Sequence, residues 1–184
     1  MHLSSLRELS VVDTSGPAVP ITIALETEPG LVAIGPSSVA CGMNNRIWFY
    51  STEDCKLIHE QEYHGTVSQV VLAADYVAVR VEGQVMLHSY TSHSQKRDAM
   101  RFPAKREEKT ITHMAMTSEF LIYCTSRGFI HYFYLKQWAD VNEFRHDAGV
   151  RYVFPNHLGT RIAFIDESHA GQVSASPHCN ACGC

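Results

Sequence analysis

The chain has 184 residues, 45% of them hydrophobic and 18% charged, and a net charge of −4. That is enough apolar material for a sizeable core, without the basic surplus that a nucleic-acid partner requires. No apolar run approaches the roughly 18 residues of a membrane-spanning helix. Met1-His2 leads into polar residues, not into the apolar segment of a secretory signal, so a soluble intracellular chain is expected.

From the N-terminus onward, short runs rich in Val, Ile, Tyr and Phe are bounded by Gly, Asn, Asp and Ser, which is the pattern of strands. Residues 3–12 read as one strand and 20–26 as another, with Gly16 and Pro17 between them. Four strands then follow at 31–35, 38–43, a segment led by Asn45-Arg46-Ile47-Trp48, and 57–63. The same order recurs at 67–73, 76–81, the segment from Gly83, and 98–103. It recurs again at 110–117, 119–124, the segment from Gly128, and 138–146. A last set has only three members, at 150–154, 160–165 and from Gly171. Residues 137–146 stand between helix and strand, because Trp138, Val141 and Phe144 fit neither period strictly.

The turn-led third strands, from Asn45 to Gly83 to Gly128 to Gly171, recur at intervals of 38, 45 and 43 residues. Strand repeats of this length are β-propeller blades. Glycine at three of these turns supplies positive φ at little cost, and Asn44-Asn45 takes that place in the first. The expected fold is all-β: an incomplete, WD-repeat-like β-propeller with about three complete four-stranded blades and partial blades at both ends. Residues 1–30 are read as the end of a preceding blade and a linker, 31–173 as the partial propeller, and 174–184 as a divergent Cys-rich tail. Closed propellers have about 4–8 blades, so the chain is expected to be part of a longer one.

Few residues suggest chemistry. His178, Cys179, Cys182 and Cys184 are soft ligands with one Cys-x-x-Cys spacing, and a small module holding zinc there is the alternative reading. The Cys-x-Cys that follows is cramped, and no second half-site exists, so a disordered thiol-rich tail with no bound metal is expected. Cys41, Cys55 and Cys124 read as buried free thiols in or near strands. Lys96, Arg97, Arg101, Lys105 and Arg106 are mixed with Asp98, Glu107 and Glu108 and read as a solvated loop. His64 and His146 each stand just before an innermost strand, two repeats apart, where a histidine can tie one blade to the next. Trp48, Phe49, Tyr50, Tyr132, Phe133 and Tyr134 alternate along third strands, so most should pack between blades and some should point outward. No Gly-x-Ser-x-Gly elbow, His-Glu-x-x-His or phosphate loop occurs. No catalytic residue, cofactor or small-molecule substrate is assigned.

Three segments are distinctive: Val39 to Tyr50, with its Gly42-Met43-Asn44-Asn45-Arg46 turn; Gly128 to Tyr134, with His131-Tyr132-Phe133-Tyr134; and Phe154 to Glu167. Together they closely resemble the WD repeat-containing protein 19 family, subunits of intraflagellar transport complex A, from about Leu3 to Gly171. The resemblance implies a long scaffold with tandem N-terminal propellers and a helical repeat region, of which this stretch would be part of the second propeller. It implies action in retrograde ciliary transport, cilium assembly and membrane-protein entry into cilia. The implied partners are other complex A subunits, and the implied places are the axoneme and basal body of the cilium, the cytoplasm and the cytoskeleton. It carries over no catalytic or ligand-binding residue. No Trp-Asp dipeptide ends a repeat, Trp138-Ala139-Asp140 being the nearest, so the repeats are degenerate.

Overall fold

The computed structural model describes residues 2–5, 7–13, 16, 19–91, 97–103 and 110–175, and every regular element among them is a β-strand. The first sheet holds β1 (His2–Ser5), β2 (Glu8–Val11) and β3 (Ile21–Ala24). The second holds β4 (Leu31–Ile34), β5 (Ser38–Met43), β6 (Arg46–Ser51) and β7 (Leu57–Glu62). The third holds β8 (Val67–Leu72), β9 (Tyr76–Val81), β10 (Gln84–Ser89) and β11 (Met100–Phe102). The fourth holds β12 (Ile111–Met116), β13 (Phe120–Thr125), β14 (Phe129–Tyr134) and β15 (Ala139–Arg145), and the fifth β16 (Val150–Pro155), β17 (Arg161–Asp166) and β18 (Gly171–Ala175). In each sheet the strand order follows the chain, so each is a meander. Three four-stranded blades with a three-stranded sheet at either end make an all-β, incomplete β-propeller. The chain forms two compact units, Met1–Glu82 with His88–Asp98 and Gly83–Leu87 with Ala99–Cys184.

The repeat extends to its irregularities. The first strands β8, β12 and β16 each shift register at their second residue, between Val67 and Gln69, Ile111 and His113, and Val150 and Tyr152. An extra residue there bends the strand and increases its twist. The ambiguous stretch at 137–146 is strand β15, paired along β14 from Phe129↔Arg145 to Tyr134↔Ala139. The expected single strand at 3–12 is two strands: the chain reverses between Ser5 and Glu8, which pair directly. No Gly, Pro, Asn or Asp marks that reversal in the sequence, so strand propensity ran through it unbroken.

Period-2 alternation assigns the faces. In the first unit Leu9, Val11, Ile23 and Leu25 of the first sheet pack on Val39, Cys41, Trp48 and Tyr50 of the second. Burial in this cluster pushes the Cys41 thiol up to about 11, so it is a protonated core residue at neutral pH. In the second unit Ile122, Cys124, Ile130 and Tyr132 of the fourth sheet pack on Val150, Val153, Ile162 and Phe164 of the fifth. The opposite face of the fourth sheet sets Tyr123 and Phe133 against Phe102, with ring centroids 5.1 and 5.0 Å away. Each fully buried aliphatic or aromatic side chain of this kind contributes about 1.5–3 kcal/mol.

The third-strand turns differ in chemistry. Asn44 (φ 55°) holds the left-handed position in the first; Glu82 (φ 50°) and Gly83 (φ 79°) share it in the second; Gly128 (φ 84°) holds it in the third. In the fourth the expectation for Gly171 fails. His169 (φ 65°) takes the left-handed position, and Gly171 is the first residue of β18. The three acceptor bonds of Asp166 draw this turn tight before the glycine is reached.

Candidate interaction surface

Several polar side chains in the cores make structural bonds. His146, between β15 and β16, places Nε2 3.2 Å from Oδ2 of Asp166 at the end of β17. A carboxylate only accepts, so Nε2–H donates. The other oxygen, Oδ1, accepts from the Ser168 hydroxyl (2.5 Å) and from the backbone N–H groups of Ser168 (2.9 Å) and Ala170 (3.1 Å). His146 therefore ties the last strand of one blade to the second strand of the next, as expected for a blade-linking histidine. Ser168 points its hydroxyl at the carboxylate and not at the imidazole, so the three groups lack the order of a nucleophilic triad.

His64 is not its counterpart. The position of Asp166 in β17 is occupied in β9 by Val81, and His64 is exposed. The two histidines look alike in sequence, and the acid that distinguishes them lies 20 residues further on.

The hydrogen bonds from Ser168, then from His146 and the two backbone N–H groups, hold the Asp166 carboxyl down at about 2. An unfolded aspartate titrates near 3.9. Between these values the unfolded chain binds the proton and the folded chain does not. The stabilisation is thus complete above about pH 4 and is lost as pH falls through about 2. Acid titration of stability should show this slope in the parent chain and a shallower one in Asp166→Asn, which cannot ionise. An unchanged slope would remove Asp166 from the account.

Tyr90, just after β10, is buried and stacked on Phe49 with centroids 4.9 Å apart. Its hydroxyl lies 2.6 Å from Ser38 Oγ and 3.0 Å from each of the Ala73 and Ala74 carbonyl oxygens. One hydrogen cannot serve both kinds of partner, so Ser38 donates to Tyr90 and Tyr90 donates to the carbonyls. Tyr90→Phe keeps the ring and removes the bonds, and should cost about 1–3 kcal/mol in denaturant unfolding. Buried Tyr63 and half-buried His88 form a second pair, Oη to Nε2 at 2.8 Å. Burial lowers the His88 pKa, so the neutral ring accepts from the tyrosine at neutral pH.

Side chains also lace adjacent first strands in the second unit. Thr112 on β12 donates its hydroxyl to the Val150 carbonyl, and His113 Nδ1 accepts from the Val153 N–H at 3.4 Å. These satisfy two backbone groups on the edge of β16 that its own sheet leaves open.

The six third-strand aromatics do not supply outward-pointing residues. Trp48, Phe49, Tyr50, Tyr132 and Phe133 are buried and Tyr134 is half-buried, because middle strands of a blade are covered on both faces. The exposed apolar side chains lie elsewhere, above all on the fifth sheet. One face of that sheet carries Val150, Val153, Ile162 and Phe164 into the core. The other face presents Tyr152 (43% exposed), Phe154 (50%) and Val173 (78%) around Ala163 and Ile165. The registers Tyr152↔Ile165, Phe154↔Ala163 and Ala163↔Val173 make these five contiguous. By strand position they match His113, Ala115, Cys124, Ile122 and Tyr132, the face that the fourth sheet turns to the fifth. Arg151 lies over the Tyr152 ring at 5.9 Å and reaches His169 at 2.8 Å, giving the patch a basic border. Contiguous exposed apolar surface of this kind is the candidate interaction site.

Among the described residues no cluster of His, Cys, Asp and Glu is arranged to hold a metal ion, and no helix is long and apolar enough to cross a membrane. His178, Cys179, Cys182 and Cys184 lie outside the described residues, as do Lys96, Lys105 and Arg106.

Meander sheets with a shared bulge and face-to-face blade packing define the class: a β-propeller of WD-repeat type. Solved propellers agree. A Myceliophteria thermophila Cps50 (Swd1) β-propeller domain superposes with a TM-score of 0.64 at 10% identity, over 89% of this chain and 57% of that one. BBS1N, solved in complex with ARL6DN, superposes with a TM-score of 0.65 at 15% identity, over 85% of this chain and 49% of that one. The chain belongs to the family described as WDR19 second beta-propeller, which it matches over residues 1–179. It is 40% identical over 178 residues to human WD repeat-containing protein 19, covering 94% of this chain and 13% of that protein. It is 30% identical over 190 residues to the Caenorhabditis elegans WD repeat-containing protein dyf-2, covering 90% of this chain and 14% of that protein. The chain thus spans about an eighth of the length of these curated relatives.

Proposed function

We propose that this chain is a non-enzymatic protein-interaction scaffold that works as part of an intraflagellar transport complex A subunit. The supporting observation is the 40% identity to WD repeat-containing protein 19 along nearly the whole chain. In this reading its partners are other complex A subunits, with no nucleic acid and no small-molecule substrate. Its place is the cilium, at the axoneme and basal body, and the adjoining cytoplasm and cytoskeleton. Its roles are retrograde transport, cilium assembly and entry of membrane proteins into cilia. The His146–Asp166 and Ser38–Tyr90 contacts use buried polar groups for blade-to-blade bonds, which suits a platform better than a catalyst. A propeller neighbour with a protein partner, BBS1N with ARL6DN, supports the same use of the fold.

Affinity purification of the tagged chain from ciliated cells tests this. Complex A subunits should co-purify, and the tag should localise to cilia. Recovery of none of them from cells with intact cilia would overturn the proposal.

A further inference from the structure

We draw no further inference here: the strongest candidate, the exposed face of the fifth sheet carrying Tyr152, Phe154 and Val173, is an unpartnered apolar face, and nothing in the structure shows what covers it.

Discussion

Gly128→Ala should destabilise the chain by about 2–5 kcal/mol, the sum of forcing a side chain into the left-handed region and overpacking a tight contact. Gly128 has φ 84° in the turn between β13 and β14. A Cβ added there would overlap the backbone carbonyl oxygens of His146 and Ala148, in the segment that leads into the next blade. Backbone oxygens cannot rotate away as a side chain can, so relief requires moving the connection that carries His146 to Asp166. Two controls separate the causes. Asparagine tolerates the left-handed region, so Gly128→Asn removes most of the φ strain and keeps the overlap. It should remain destabilised. Gly171→Ala, where nothing lies within 4 Å of the new Cβ, should change stability by no more than about 0.5 kcal/mol. Denaturant midpoints at constant m-value give all three numbers. A Gly128→Asn chain as stable as the parent would show that the blades are not in contact at this turn.

Phe164→Ala should cost about 3–5 kcal/mol, the usual loss for a large aromatic removed from a packed core. Phe164 is 1% exposed on β17. It sits in the cluster joining the fourth and fifth sheets and packs its ring edge-on to His146 at 5.1 Å. Its removal therefore opens a cavity and loosens the histidine tie together. Phe154→Ala, on the other face of the same sheet, should cost only about 1 kcal/mol, because half of that ring is in solvent and the rest touches His113 and Tyr152. Both variants remove the same side chain from one three-stranded sheet. Their difference measures how unequal its two faces are. Equal losses in thermal or chemical unfolding would mean that both faces are packed, and the exposed patch would no longer be a candidate interaction surface.

Much of the fold was legible because strand pairing follows local rules. The second strands expected at 38–43 and 76–81 are β5 and β9 to the residue. Runs such as Val70-Val71-Leu72 read as covered strands, and Glu82-Gly83 as a tight turn. The failures occur where a residue's role is set by a distant partner. His169 was not visible as a left-handed residue, because the bonds that tighten its turn all end on Asp166. The reversal before Glu8 has no turn residue to announce it. Alternation along the third strands leads one to expect outward-pointing aromatics there, because it guarantees two faces but does not say that both are covered.

The candidate site was the least legible part. Tyr152 and Phe154 belong to β16 and Val173 to β18, and each reads alone as an ordinary core residue. Only the register of β16, β17 and β18 makes them neighbours, and only the packing of the opposite face on the fourth sheet shows that they are the side left open.

The sequence by itself determined the strands from Leu31 onward, their period and the family, because hydrophobic alternation and turn chemistry act over a few residues. The tertiary structure decided which face of each sheet is buried, that His146 meets Asp166 while His64 is exposed, and where apolar surface remains exposed. Those depend on contacts between blades, and residues that meet there are set by sheet register and twist, not by nearness along the chain.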